Sequence, residues 1–295
     1  MCSNWFEDAF IEAVRNGHLS VVMWLSVQYP DSPTSSSSCM IEEAAKHGHL
    51  EILKYFHRIR SSTGPDVPIT AAEVITLWWQ QSRNVMNFAA ENGHLDVVQW
   101  LHATYPETSS ATAMDDAAAN GHIAMVQWLH VVRKEKCTHR AMDGAAANGH
   151  LEMLQWLYSN TSAGCTTRAM DLAAGRGHLK VLKWLRANRS EGCTVKAVEY
   201  ALQQNQLPIL SCLRQNYPEL VPSKHKLVIH PPNQFDTLLF LHQYYPHLFS
   251  GGTARKPAIS IGFEPSETQI SSWLKEKISD SKALCVLGKD AEPPQ

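Results

Sequence analysis

Six histidines in this 295-residue sequence directly follow a glycine: His18, His49, His94, His122, His150 and His178. Imidazole is a common zinc ligand, and His47 next to Gly48-His49 adds a local pair. Zinc, however, gathers four ligands around one ion at ~2.0–2.3 Å each. Histidines carried by successive packed helices lie ~8–10 Å apart, too far to share an ion. The chemistry that remains for them is to organise a recurring turn, so no metal or other cofactor is expected. Cys137, Cys165 and Cys193 form a second column, and at the same ~10 Å spacing they exceed the ~7 Å Cα limit of an unstrained disulfide. They read as small loop fillers, with a redox switch as the alternative. Nucleophile elbow, phosphate loop, HExxH and paired carboxylates in distinct environments are all missing from the sequence, which reads as non-enzymatic.

Charge narrows the binding chemistry. The chain has 26 basic and 28 acidic residues, 44% hydrophobic and 18% charged, which excludes a disordered chain and a general phosphate-binding surface. One stretch stands out. Between 168 and 196, Arg168, Arg176, Lys180, Lys183, Arg186, Arg189 and Lys196 face only Asp171 and Glu191. It suits an acidic partner, but lacks the exposed aromatics that single-stranded nucleic acid wants, so nucleic acid is disfavoured. Arg140, Arg168 and Lys196 share one register, each with an acid three residues on: Asp143, Asp171 and Glu199. Such pairs read as a solvated helix-surface ladder or as a recognition surface.

The elements that position these residues are repeats, which are sought before anything else. From Gly93-His94 the landmark recurs every 28 residues at Gly121, Gly149 and Gly177, and the register continues onto Asn205-Gln206 and Asn233-Gln234. Earlier landmarks at Gly17 and Gly48 are spaced 31 and then 45 apart, the excess falling in the Ser32–Ser38 loop and in an insertion near 58–82. Eight copies result, the last (225–241) degenerate. Each copy reads as two short helices. A hydroxyl residue at one register (Ser37, Ser82, Ser110, Thr138, Thr166, Thr194) is placed to cap the first helix, and Asn-Gly or Arg-Gly ends it. The second helix carries a leucine stripe, such as Leu151, Leu154 and Leu157, beside a tryptophan column: Trp24, Trp100, Trp128, Trp156 and Trp184. The column reads as inter-repeat core. Stacked copies bury what one copy leaves open, so the expected architecture is an all-α solenoid.

The segment Arg140-Ala141-Met142-Asp143-Gly144-Ala145-Ala146-Ala147-Asn148-Gly149-His150-Leu151 resembles the ankyrin-repeat signature TPLHLAAxxGHL, and the second helix resembles that family's EVVKLLL. The resemblance covers about 250 residues, and the tryptophan-rich GHLxxxQWL units are similar to ankyrin arrays of oomycetes and other protists. It implies a helical-repeat array that binds a protein or peptide. The family's repeat is longer by a β-hairpin finger, which here is short or missing, as in Ser190–Thr194. The family's concave face is lined by first helices. A partner would therefore read register positions at which the copies differ: Phe88, Asp116, Gly144 and Leu172 at one, Asn92, Asn120, Asn148 and Arg176 at another. Asp116, Arg140, Arg168 and Arg176 are the candidate surface.

The expected organisation is an array over 1–250 and a C-terminal extension over 251–295, with a capping helix over 266–281 that covers the end of the stack. A further helix is expected at 69–79. An adaptor or enzyme part completed by the extension is a further alternative. No apolar run reaches the ~20 residues of a membrane span, and the N-terminus lacks a signal-peptide pattern. Seven cysteines without a CxxC fit a reduced protein of the cytoplasm or nucleus. A monomer is expected.

Overall fold

A computed structural model of the chain describes residues 4–28, 37–61, 84–105, 112–222, 227–229, 235–246, 259–262 and 284–287. The expected helices at 69–79 and 266–281 lie outside them. First helices of successive copies are α1 (Asn4–Arg15), α3 (Ser37–Lys46), α5 (Val85–Glu91), α7 (Ala113–Ala119), α9 (His139–Ala147), α11 (Thr167–Gly175) and α13 (Val195–Gln203). Second helices are α2 (Leu19–Gln28), α4 (Leu50–Ser61), α6 (Leu95–Thr104), α8 (Ile123–Val131), α10 (Leu151–Asn160), α12 (Leu179–Asn188) and α14 (Leu207–Asn216). The inter-repeat loops at 161–166 and 189–194 contain no strand, so the fingers are missing there.

Local chemistry sets each helix pair. Gly93 adopts φ +79, with its N–H on Ala90 O (3.1 Å) and the His94 N–H on Ala89 O (2.9 Å). This pattern closes the orphan carbonyls of a helix end and needs a residue that tolerates positive φ. In the seventh copy Asn205 takes the same role at φ +55, as asparagine can. Thr166 and Thr194 cap α11 and α13 by accepting from Arg168 N and Lys196 N, while Ser82 and Ser110 lie outside the described residues.

The core comes from small residues on first helices and branched or long ones on second helices. The pairs Ala89-Ala90, Ala117-Ala118, Ala145-Ala146 and Ala173-Ala174 are fully buried. On the second helices Val97, Val98, Leu101, Met125, Val126, Leu129, Met153, Leu154 and Leu157 are at most 1% exposed. Each such side chain contributes about 1.5–3 kcal/mol of burial.

Two compact units result. The first takes Met1–Ala145 with Glu152–Gly164; within it α1 packs on α3, α3 on α5 and α5 on α7. The second takes Ala146–Leu151 with Cys165–Gln295; within it α11 packs on α13, and α14 meets α15 (Phe235–Tyr244). The repeats are helical, but short strands follow them. β1 (Leu227–Ile229), β2 (Ile259–Gly262) and β3 (Leu284–Leu287) form a parallel sheet in the order β1-β2-β3. β1 falls where the eighth copy's first helix was expected. Val228 and Ile229 favour a strand, and the following His230-Pro231-Pro232 cannot continue a helix. The eighth copy keeps its second helix, α15, whose buried Thr237 donates to Asn205 Oδ1.

Candidate functional site

The landmark histidines tie one repeat to the one before. His49 Nε2–H donates to Arg15 O (2.8 Å), His94 to Lys46 O (2.9 Å) and His122 to Glu91 O (3.0 Å). Each accepting carbonyl lies two residues before the preceding glycine, and the ring sits against that glycine. A Cβ on Gly93 would sit 2.5 Å from His122 Nδ1. The glycine thus provides both the positive φ and the space for the next histidine. Among the described residues no three His, Cys, Asp or Glu side chains gather where an ion would sit.

A second tie uses buried aspartates, two of which, Asp143 and Asp171, the spacing had set beside Arg140 and Arg168 on the helix surface. Asp115, Asp143 and Asp171 are 3%, 6% and 3% exposed, so they are not surface partners of Arg140 and Arg168. Asp171 Oδ1 accepts from Thr194 N (2.7 Å) and Oδ2 from Thr194 Oγ1 (2.7 Å). Asp115 holds Thr138 identically, at 2.7 and 2.6 Å. Each carboxylate therefore braces the residue that opens the next first helix, where the backbone N–H has no helical acceptor. The signal was present as a constant Asp with Thr 23 residues later, while neighbouring polar positions vary.

The tryptophans are not core. Trp100, Trp128, Trp156 and Trp184 are half-buried, and Trp24 is 57% exposed. They flank the buried stripe, and Trp100, Trp128 and Trp156 each meet a histidine of the preceding second helix. Ring centroids lie 5.7 Å apart for His57–Trp100, 5.4 Å for His102–Trp128 and 5.6 Å for His130–Trp156, all edge-on. A residue from the following loop then latches the histidine. Tyr105 OH lies 2.7 Å from His57 Nδ1, and Arg133 donates to His102 Nδ1 (3.1 Å) while its Nε holds Glu135 (2.6 Å). In the next copy this position is Thr161, whose hydroxyl donates instead to Leu157 O (2.8 Å). His130 Nδ1 is left buried with no hydrogen-bond partner.

Register positions expected to vary for a partner have packing reasons. A Cβ on Gly144 would sit 2.6 Å from Ala119 Cβ, so α9 can approach α7 only with glycine there. Two copies on the arrangement is reversed: Tyr200 occupies that register, and Gly175 makes room, a Cβ there lying 2.7 Å from Tyr200 Cβ. At the other register Asn120 Nδ2 donates to Glu91 O (3.0 Å). Arg176, expected on the binding surface, donates to Ala147 O (3.2 Å) and to Asn148 Oδ1, which fixes it over the turn. Asp116 is half-buried on α7, and Arg140 and Arg168 are exposed in the first turns of α9 and α11. Neither arginine joins an ion pair among the described residues. Asp116 and Arg140 belong to the first unit, Arg168 and Arg176 to the second.

Cys137, Cys165, Cys193 and Cys212 are free thiols. Burial pushes the Cys193 thiol up to about 12, helped by the Asp171 charge, and burial raises Cys137 as well. Protonated thiols are poor nucleophiles, which supports the filler reading.

Residues 41–140 match the family described as ankyrin repeats (3 copies), and residues 137–186 match that described as ankyrin repeats (many copies). No curated protein matches the chain. The first and seventh copies, outside 41–186, share the helix pair and the positive-φ turn, at Gly17 and Asn205, and Arg15 O of α1 accepts the histidine tie from His49. With the family match, the finger-less helix pairs and these recurring ties together, the chain is an ankyrin-repeat protein.

Proposed function

We propose that this protein is a non-enzymatic scaffold that holds a protein or peptide partner through exposed first-helix positions of its repeats. Ankyrin repeats generally mediate protein–protein interaction. One observation carries the reading further. Several periodic polar side chains serve the fold, whereas Arg140 and Arg168 stand exposed at matching positions without a carboxylate partner among the described residues. Of the four candidate residues Arg140 and Arg168 rank first, Asp116 next, and Arg176 last because its guanidinium is already held. The array is taken to reach about residue 250, with 251–295 as its extension, in a protein of the cytoplasm or nucleus. Among the described residues no helix is long and apolar enough to cross a membrane. In the test, the full chain captures its partner from native cell extract, and Arg140→Glu with Arg168→Glu abolishes capture while melting shifts by no more than a few degrees. Full capture by the reversed protein refutes the surface.

A second reading is supported by α12. Lys180, Lys183 and Arg186 are exposed there and join no carboxylate among the described residues, whereas Arg189 of the same stretch is paired with Glu191. That face fits an acidic partner. Binding that survives moderate salt, where Coulombic attraction is screened, speaks against it.

A further inference from the structure

At three registers of the second helices, α12 departs from other copies in the same direction. In the first turn, where the helix dipole favours an acid, three copies carry Glu51, Asp96 and Glu152, and α12 carries Lys180. Three residues on, Gln99, Gln127 and Gln155 stand where α12 has Lys183. Three further, His57, His102 and His130 meet the next copy's tryptophan where α12 has Arg186. All three cations are exposed, and none joins a salt bridge among the described residues. Steps of three residues set them on one face at ~4.5 Å of axial rise, so the row is about 9 Å long. Folding does not account for it. A cation in the first turn opposes the dipole, and like charges on one face repel. The other exposed residues of α12 are Ala187 and Asn188, and α14, the next second helix, contains no acid.

We propose, resting on the acidic-partner reading of α12, that this row is a docking site for an acidic helix of a partner protein. The partner helix lies lengthwise on α12, with its carboxylates facing Lys180, Lys183 and Arg186. Charge complementarity favours it: a counter-charge brought from outside offsets both the dipole opposition at Lys180 and the repulsion along the row. The length of the row decides the partner's form. Carboxylates at i, i+3 or i+4, and i+7 of a helix span ~10 Å and meet all three cations. On an extended chain, residues of one face are ~6.6 Å apart, so only two fall within the row. Duplex nucleic acid carries one charge per ~1.7 Å of axis and calls for a broad basic surface, whereas three cations in single file suit one row of carboxylates. A lipid surface suits helices that insert bulky apolar side chains, and α12 exposes none.

Fluorescence anisotropy with the full chain and three labelled probes tests this. One probe is an alanine-based helical peptide of roughly 20 residues with glutamates in a single stripe; the others are a peptide of the same composition with its glutamates spread all round, and a DNA duplex. At low salt the striped peptide should bind at least about fivefold tighter than the spread one, and more weakly once salt screens the pairs. Lys180→Glu with Lys183→Gln and Arg186→Gln should lower its affinity at least about tenfold. Other copies carry Glu and Gln at the first two of these registers, so the variant keeps its circular dichroism and melting temperature. Arg168→Glu, on a first helix, should leave the striped peptide's affinity unchanged, which separates this site from the first-helix surface. Striped-peptide binding that the triple variant leaves intact overturns the proposal. So does equal affinity for both peptides, although the acidic-partner reading then stands. Tighter binding of the duplex through the same three residues assigns the row to nucleic acid instead. If no anionic probe binds, the site and the acidic-partner reading fall together.

Discussion

Loops 161–165 and 189–193 read Thr-Ser-Ala-Gly-Cys and Arg-Ser-Glu-Gly-Cys, so two substitutions convert one into the other. Arg189 holds Glu191 within its loop, as Arg133 holds Glu135 in another copy, where the arginine also latches His102. Thr161→Arg with Ala163→Glu should therefore supply the donor that His130 Nδ1 lacks. An unpartnered buried acceptor costs about 1–3 kcal/mol. Against its recovery stand the Thr161 hydroxyl's bonds to Leu157 O and from Ala163 N, together about 1–2 kcal/mol, which the paired Arg–Glu loop partly replaces. The net gain is about 1 kcal/mol, seen as a rise in melting temperature of about 2–4 °C. The assay is thermal and urea unfolding of four proteins: wild type, the loop variant, His130→Leu, and all three changes together. If the latch is the cause, the gain disappears in the His130→Leu background, a coupling of about 1 kcal/mol. An equal gain in both backgrounds, or a loss in the wild-type one, refutes the reasoning.

Gly93→Ala should cost more than Gly192→Ala. Both sit at positive φ, which costs about 1–2 kcal/mol with a Cβ, but only Gly93 also meets a histidine ring, whereas nothing lies within 4 Å of Gly192; equal losses in urea midpoints would show that the ring moves freely. Asp171→Ala should destabilise by about 1–3 kcal/mol by stranding Thr194 N, and Thr194→Val should cost less on top of it than alone, since only its cap on Lys196 N is then left to lose, which a double-mutant cycle measures. The hydrogen bond from Arg189 holds Glu191 below the usual carboxylate range. Its stabilisation is therefore present above about pH 4.3 and lost as pH falls through the lower folded value, so wild type and Glu191→Gln should converge in melting temperature in acid. Cys193 has the opposite sign for an acid. Raised to about 12, it stabilises below the ordinary thiol value of about 8.5 and loses that contribution as pH climbs, a dependence Cys193→Ser should remove. Trp156→Ala should cost less than the ~3–5 kcal/mol of a core aromatic, because the indole is only half-buried; a full core-sized loss would show that the contact with His130 carries more than geometry indicates.

The sequence alone determined the repeat, its helix pairs and their ends. Those follow from local chemistry repeated at a fixed period: the alanine pair that lets helices approach, the glycine that accepts positive φ, the threonine that caps. The register was legible through the seventh copy because a 28-residue period leaves little freedom in how such units stack, whereas β1 takes the place of the eighth copy's first helix. Partnerships between copies were not. Asp171 and Arg168, three residues apart, look like a surface pair in sequence, yet Asp171 turns inward because Thr194, 23 residues away, has a backbone N–H that only a buried carboxylate reaches. Gly144 looks like variation for a ligand, and its reason is a Cβ of the previous repeat. The tryptophans share the period of the leucines, but only the stacking distance decides which side of the stripe is sealed.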